Sequence, residues 1–493
     1  MATDKTLAQL GLAAASGQEA RITGLSVDSR FVKEGHLFAA LPGTRVHGAE
    51  FVQYAVRMGA AAILTDVEGA RIAADALAGS SAALVVTEDP RGALAGAAAL
   101  WFGSQPETVV AVTGTNGKTS VASFARQIWQ GLGEPAVNLG TTGVEGDWEA
   151  PLVHTTPEPI TLHRTLAEAA AAGITHAAME ASSHGLAQRR LDGVRLAAAG
   201  FTNITQDHLD YHDGFDDYFA AKARLFTRVL GDEGVAVVNT DGANGPRIAE
   251  VAEEAGNEVI RVGRSESCQI RLVGLRFDPT GQEMRLAWNG ATHQARLSLI
   301  GGFQAENVLV AAGLVIAAGA EPEAVFPVLP RLAGVRGRMQ LVATRETGAA
   351  VFVDYAHTPD ALATALQALR PHVMGRIVCV FGAGGDRDRG KRPLMGQAVA
   401  EHADAAIVTD DNPRSEDPAA IRAEVLAGCP EASEVGDRAE AILRGVDALG
   451  PGDALLIAGK GHETGQVVGD VTYPFDDAEQ ASVAVAALDG RVS

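Results

Sequence analysis

Cysteine is scarce in this chain: Cys268, Cys379 and Cys429 are the only three in 493 residues, and they lie far apart. An odd, scattered set matches neither a disulfide framework nor a CxxC metal site, and reads as buried structural thiols in a reducing cytosol. Basic residues are outnumbered, 40 against 61 acidic, for a net charge of −21. That balance argues against a non-specific binder of nucleic acid or anionic membrane, whose affinity rests on Lys and Arg facing phosphates. Long apolar runs are missing too. The longest, about Val308 to Ala320, falls short of the roughly 20 residues that a spanning helix needs and reads as a core helix. Low-complexity tracts and short-period repeats are absent beyond a general richness in alanine.

What is present is a core-forming composition, 47% hydrophobic and 20% charged, in a chain long enough for two to four domains. The N-terminal MATDKTLAQLGLAAASG loosely resembles a secretory leader, but Asp4, Lys5 and Gln9 interrupt it and predict an amphipathic first helix instead. Residues 1–88 form a first block with turn signals such as Pro42-Gly43. From Glu107 the grammar changes to ETVVAVTG, a glycine-rich turn, and a helix with Val121, Phe124, Ile128 and Leu132 on one face. Further strand-like runs follow: THAAMEAS, AAAGFTNIT and GVAVVNTD. From Gly337 a third block repeats the pattern with AAVFVDYAH, RIVCVFG, AAIVTDDN and DALLIAGK, and the first of these leads into a helix at PDALATALQAL. Alternation of this kind predicts an α/β fold with mostly parallel sheets covered by helices.

Gly114-Thr-Asn-Gly-Lys-Thr119 sits between strand and helix, where backbone N–H groups and a helix N-terminus cradle phosphate. There Lys118 reaches the outer phosphates and the Thr119 hydroxyl binds Mg²⁺. Val112 stands where the general pattern has a further glycine, and a lone Gly-Lys-Thr is often just a turn. The flanking strand and helix make this one a nucleotide site.

In the central block, Glu180-Ala-Ser-Ser-His-Gly and Asp207-His208-Leu-Asp-Tyr-His212 each follow a strand. In a parallel sheet both open onto the same crevice as the phosphate loop, where a carboxylate and an imidazole suit Mg²⁺. Taken singly, Glu180 and His208 read as helix caps or core-edge groups, and Lys222 in YFAAKARLF as an exposed helix lysine. The third block carries four polar loops after strands: Asp354-Tyr-Ala-His357, Gly384-Gly-Asp-Arg387, Asp411-Asn-Pro-Arg414 and Gly459-Lys-Gly-His-Glu463. Any one is an ordinary turn. Four on one sheet edge make a ligand site, with Arg387 and Arg414 suited to carboxylates and Asp411 and Glu463 to an ammonium, hence to an amino acid.

TGTNGKT, EASSHGL, DHLDYH, YFAAK, GRMQ, DYAHTPDAL, FGAGGDRDRGKRP, DDNPR and AGKGHE together resemble the Mur ligase family over nearly the whole chain. That family's phosphate loop is the shorter TGTNGKT form, which accounts for Val112. The resemblance implies a UDP-binding domain (1–88), a central ATPase (89–336) and a C-terminal Rossmann-like, amino-acid-binding domain (337–493). It implies an ATP-dependent, cytoplasmic ligase of peptidoglycan precursor synthesis, monomeric, acting on small molecules rather than nucleic acid or membrane.

Carried over by position, Gly114, Thr115, Asn116, Gly117, Lys118, Thr119 and Ser120 hold ATP, together with Asn307, Arg338, Asp354 and His357. The resemblance places Lys118, Glu180, His208 and Lys222 at the chemistry, with Mg²⁺ near Thr119, Glu180, His208 and a carbamylated Lys222. The UDP-sugar peptide is placed along Val27, Ser29, Thr44, Arg45, Val46, Thr155, Thr156, Ser182, Gln188 and Arg190. Asp411, Asn412, Pro413 and Arg414, with Arg387, Gly459 and Glu463, are placed around the incoming amino acid. In the family, Asp-Asn-Pro-Arg is the signature for meso-diaminopimelate, whose second carboxylate suits Arg414. DDNPR and the VDSR segment at Val27 to Arg30 weigh against other ligases of this kind. The remaining rival is an NTPase that moves a partner, which has no need of four convergent amino-acid loops.

Overall fold

The computed structural model describes residues 4–43, 46–205, His212, 214–232 and 234–490. It divides into two compact units, Met1–Gly263 with Val310–Val325, and Arg264–Leu309 with Phe326–Ser493.

The first unit holds two main sheets. One is parallel, four strands in chain order: Gly24–Ser26, His36–Ala39, Ala62–Thr65 and Ala83–Val86. The other is built on Thr108–Thr113, which pairs in parallel with His176–Glu180 on one side and Ala198–Phe201 on the other. Ala136–Gly140 extends the first side, with Gly143–Gly146 antiparallel at its edge; Val235–Asn239 and Glu258–Gly263 extend the second. These strands read as unbroken apolar runs because helices cover both faces. Thr108–Thr113 has neighbours that follow it on both sides, so the chain direction switches there, the usual place for a ligand crevice. The helix after it, Lys118–Leu132, buries Val121, Phe124 and Ile128 as its periodicity predicts.

The amphipathic first helix is not formed. Lys5–Thr6 is a strand paired with Arg21–Ile22, and Ala8–Leu10 is a single 3₁₀ turn. Gly11, at φ 70°, ends that turn, and the Gln9 side chain bonds back to the Thr6 N–H at 2.9 Å. Local polar bonds and a left-handed glycine outweigh the apolar periodicity.

The second unit contains an antiparallel meander (Ile270–Asp278, Gly281–Trp288, Ala291–Leu297), not expected above, whose second hairpin turns on Asn289-Gly290 at φ 46° and 87°. Its main sheet runs Gln340–Thr344, Ala350–Asp354, Ala454–Ala458, Ile377–Phe381, Ala405–Val408, Ser433–Glu434, parallel except for the first strand. The run near Val308 is the expected core helix, Gly302–Ala317, with Val308, Leu309, Leu314 and Val315 buried. All three cysteines are buried.

Candidate active site

In the first unit the phosphate loop leaves the central strand at Thr113, and the helix begins at Lys118 after Gly117 in a left-handed conformation (φ 89°). A second turn steadies it. Thr115 N donates to Asn203 O at 2.8 Å, Asn116 N to Asn203 Oδ1 at 3.0 Å, and the Thr202 hydroxyl to Asn116 O at 2.6 Å. Thr119 and Ser120 are buried at the helix start. Lys118 Nζ donates to the Gly114 and Thr115 carbonyls at 2.9 and 2.8 Å. Lys222, 1% exposed, donates to the same Gly114 carbonyl at 2.7 Å, with its ammonium 4.5 Å above the Tyr218 ring. Lys222 is therefore not the exposed helix lysine that it would be if read alone. Two cations on one carbonyl concentrate positive potential where a polyphosphate binds. The helix carrying Lys222, Phe215–Arg224, runs into a π-helical turn at Leu225–Val229, a local irregularity frequent at functional sites.

Glu180 ends the neighbouring strand and is 2% exposed, its carboxylate accepting from Thr141 N at 2.8 Å. A Cβ on Gly140 would lie 1.9 Å from its Oε1, so only glycine leaves this carboxylate room. Its strand pairs beside the loop strand, Glu180 opposite Val112. Mg²⁺ takes one or two carboxylates and fills its shell with phosphate and water oxygens, so Glu180 with the Thr119 hydroxyl suits it. Among the described residues no three His, Cys, Asp or Glu side chains form a metal cluster. His208, also expected there, lies outside the described residues.

A polar network joins Glu180 to the residues expected to hold the sugar peptide. Thr155 Oγ1 meets Thr141 Oγ1 at 3.0 Å, and the Thr156 hydroxyl donates to Glu180 O at 2.9 Å while accepting from Ser182 N at 3.0 Å. Arg190 donates to Thr156 O at 2.6 Å and to Gln188 Oε1 at 2.8 Å. Val27, Gln188 and Arg190 line a cavity of about 170 Å³ with Leu41, Arg91 and Glu158. Ser29 opens a 3₁₀ turn capped by Asp28, and Val46 is exposed; Thr44 and Arg45 lie outside the described residues. A larger cleft of about 410 Å³ on the meander, beside Glu266, Arg271 and Asn289, contains none of the expected site residues.

In the second unit the four polar loops leave the C-terminal ends of four adjacent parallel strands, ending at Asp354, Ala458, Phe381 and Val408. Asp354 accepts from Met339 N at 2.7 Å and Ala356 N at 2.8 Å; burial raises its pKa, while Arg338 and these N–H groups oppose the rise. Arg338 stacks 4.6 Å over Tyr355, and His357, whose pKa burial lowers, contacts the same ring at 4.6 Å. Asn307 is buried and donates to Gln304 at 3.1 Å.

Arg414 adopts φ 52°, a strained conformation for a side-chain-bearing residue. The hairpin of Gly465–Val468 and Val471–Pro474 holds it there: Arg414 N donates to Val467 O at 3.0 Å, and Gly469 N to Arg414 O at 2.7 Å. Its Nη1 donates to Gly385 O at 2.8 Å, which ties two of the four loops together. Pro413 packs equally close: a Cβ on Gly385 would lie 1.9 Å from Pro413 O. Asn412 donates to Glu463 Oε2 at 2.9 Å, and Gly459, at φ 119°, starts the Glu463 loop. Arg387 is exposed at its loop tip. Sequence reasoning passed over Lys460, Gln466 and Arg438, which support these loops; burial of a cation is not visible in a motif.

Three family models match in series: "Mur ligase family, catalytic domain" over residues 21–101, "Mur ligase middle domain" over 112–315, and "Mur ligase, glutamate ligase domain" over 337–461. The chain is 50% identical over 475 residues to the UDP-N-acetylmuramoyl-L-alanyl-D-glutamate–2,6-diaminopimelate ligase of Caulobacter vibrioides, covering 95% of this chain and 96% of that one. It is 48% identical to the ligase of the same name from Brucella melitensis, covering 97% and 96%. A solved structure of a ligase with that name aligns at TM-score 0.70 and 34% identity, covering 95% of each chain. MurF from Acinetobacter baumannii, at 20% identity and TM-score 0.62 over 92% of this chain and 95% of that one, shares the fold.

Proposed function

The chain belongs to the Mur ligase family, and from that premise we propose that it joins meso-2,6-diaminopimelate to UDP-N-acetylmuramoyl-L-alanyl-D-glutamate with ATP, in peptidoglycan precursor synthesis. The observation that carries the choice of amino acid is the Asp411–Arg414 loop. A strained arginine is held by a hairpin beside Asn412 and Glu463, one cation for a carboxylate and one anion for an ammonium. Diaminopimelate has a second carboxylate that lysine lacks, and a lysine substrate would leave this arginine unmatched.

The enzyme uses ATP with Mg²⁺. A carboxylate of the dipeptide attacks the γ-phosphorus of ATP and ADP departs, leaving an acyl phosphate. The amine of diaminopimelate then attacks the acyl carbon, loses its proton, and phosphate leaves from the tetrahedral intermediate. A carboxylate is a poor electrophile, so phosphorylation supplies the leaving group. The protein's share is positioning and charge neutralisation. Lys118 draws the outer phosphates, the loop amides and helix start hold the others, and Thr119 and Glu180 hold the Mg²⁺, which neutralises phosphate charge when bound. His208 is assigned to the metal as well. Lys222 carries a carbamate in the working enzyme, which converts one of two crowded cations into an anion.

Asn307, Arg338, Asp354 and His357 serve the nucleotide, and the cavity at Val27, Gln188 and Arg190 takes part of the UDP-sugar peptide. Arg387 takes a carboxylate of the amino acid. Residues 1–88, 89–336 and 337–493 are the UDP, ATP and amino-acid domains, and the enzyme works as a cytoplasmic monomer. No helix among the described residues is long and apolar enough to cross a membrane.

Phosphate release tests this reading in three steps: ATP alone, ATP with the UDP-sugar dipeptide, and both with diaminopimelate. Turnover is expected only with all three, and Arg414→Ala lowers kcat/KM for diaminopimelate by about 10- to 100-fold while ATP binding holds. Strong release with ATP alone would favour the NTPase, and equal losses for both substrates would remove the role given to Arg414.

A further inference from the structure

Lys460 is the second residue of the Gly459–Glu463 loop, and its side chain is 0% exposed. Its Nζ donates to Asn412 Oδ1 at 2.9 Å and lies 3.5 Å from Asp411 Oδ1 and 3.6 Å from Glu463 Oε2. The partners come from two loops on different strands, and they are the polar residues assigned above to the amino acid. A buried ammonium costs several kcal/mol unless it is compensated in this way.

The arrangement determines the orientation of Asn412. Its Oδ1 accepts from both Lys460 Nζ and Val467 N, each at 2.9 Å, so its Nδ2 must face the other way, toward Glu463 Oε2 at 2.9 Å. The same ammonium sits between two carboxylates. One cation among Asp411 and Glu463 leaves one negative charge, which an amino-acid ammonium completes. The neighbouring buried cation, Arg438, is already matched by Asp477 through two bonds of 2.7 Å.

We propose that Lys460 is a positioning residue for the amino-acid substrate: it orients the Asn412 amide and holds Glu463 in place while leaving one excess negative charge on the Asp411–Glu463 pair that receives an ammonium. The inference rests on the reading of these loops as the amino-acid site. Without the ammonium, Asn412 keeps only Val467 as a donor to its oxygen, and Asp411 and Glu463 repel. Glu463, 35% exposed, then has solvent to turn into.

The test is steady-state kinetics of Lys460→Met and Lys460→Gln in the full chain, varying each substrate in turn, with melting curves to verify folding. Lys460→Met is expected to raise KM for diaminopimelate by about tenfold or more, with KM for ATP and for the UDP-sugar dipeptide held within about twofold. Lys460→Gln keeps a donor for Asn412 but no charge, and is expected to fall between wild type and Lys460→Met. If Lys460→Met does not fold, the same ratio is read from Lys460→Gln. A KM for diaminopimelate that is unchanged, or that rises no more than the other two, would overturn the assignment. If the wild type itself does not turn over diaminopimelate, the parent reading fails instead.

Discussion

At the scale of single residues, the site is a set of charged side chains withdrawn from water and given directed partners. Lys222 shows it best. Its ammonium is buried, packs over Tyr218 and shares the Gly114 carbonyl with Lys118. Two like charges on one oxygen repel, and adding CO₂ to one amine relieves that repulsion while creating an oxygen ligand for Mg²⁺. Enzyme equilibrated with ¹³C-bicarbonate is therefore expected to show a carbamate carbon resonance that Lys222→Arg lacks. That variant retains a donor for Gly114 but loses activity by about 10²-fold. A wild-type spectrum without the resonance would rule the modification out.

This scale is also where the sequence was least legible. Glu180 and the glycine-lysine turn announce themselves through short motifs. Lys460 and Arg438 do not, because what distinguishes them is burial against partners 48 and 39 residues away.

At the scale of elements, the strand ends carry the chemistry and the last helices hold them in register. Arg438 starts the helix Arg438–Asp447, and Asp477 starts Asp477–Leu488; the pair is fully buried and bidentate. Arg438 also donates to Ala458 O at 3.0 Å and Asp410 O at 3.4 Å, the backbone just before two of the site loops. Asp477→Ala leaves an uncompensated buried cation and is expected to cost about 3–5 kcal/mol in urea unfolding. Arg438→Met with Asp477→Leu is expected to recover most of that loss, since an apolar pair leaves no buried charge. A double variant as unstable as the single one would show that the loops need the ion pair itself. The strands under these loops were readable from apolar runs ending in Asp, Gly or Asn. The meander was passed over even though Asn289-Gly290, the pair that favours a two-residue hairpin turn, joins its last two strands, because the flanking runs mix polar and apolar residues. The N-terminal segment misled for the opposite reason: helical periodicity was present, but Gly11 stopped the turn after three residues.

At the scale of the whole molecule, 61 acidic against 40 basic residues give every copy a net charge of −21, so copies repel. Light scattering behind size exclusion is expected to return the mass of one chain at micromolar concentration. A dimer mass that persists in high salt would contradict the monomer.

The sequence by itself determined the chemistry's vocabulary: a phosphate loop, an acid after one strand, four polar loops after four others, and the family they spell together. These survive without coordinates because each is local, a few side chains set by a strand end and a turn. Tertiary structure alone decided that the four loops stand on adjacent parallel strands, that Arg414 is locked left-handed by a hairpin more than fifty residues on, that Lys222 is buried against the Gly114 carbonyl and the Tyr218 ring, and that Lys460 is buried among oxygens. Those facts depend on which distant segments exclude water from a charge, and desolvation is a property of packing that no run of residues carries within itself.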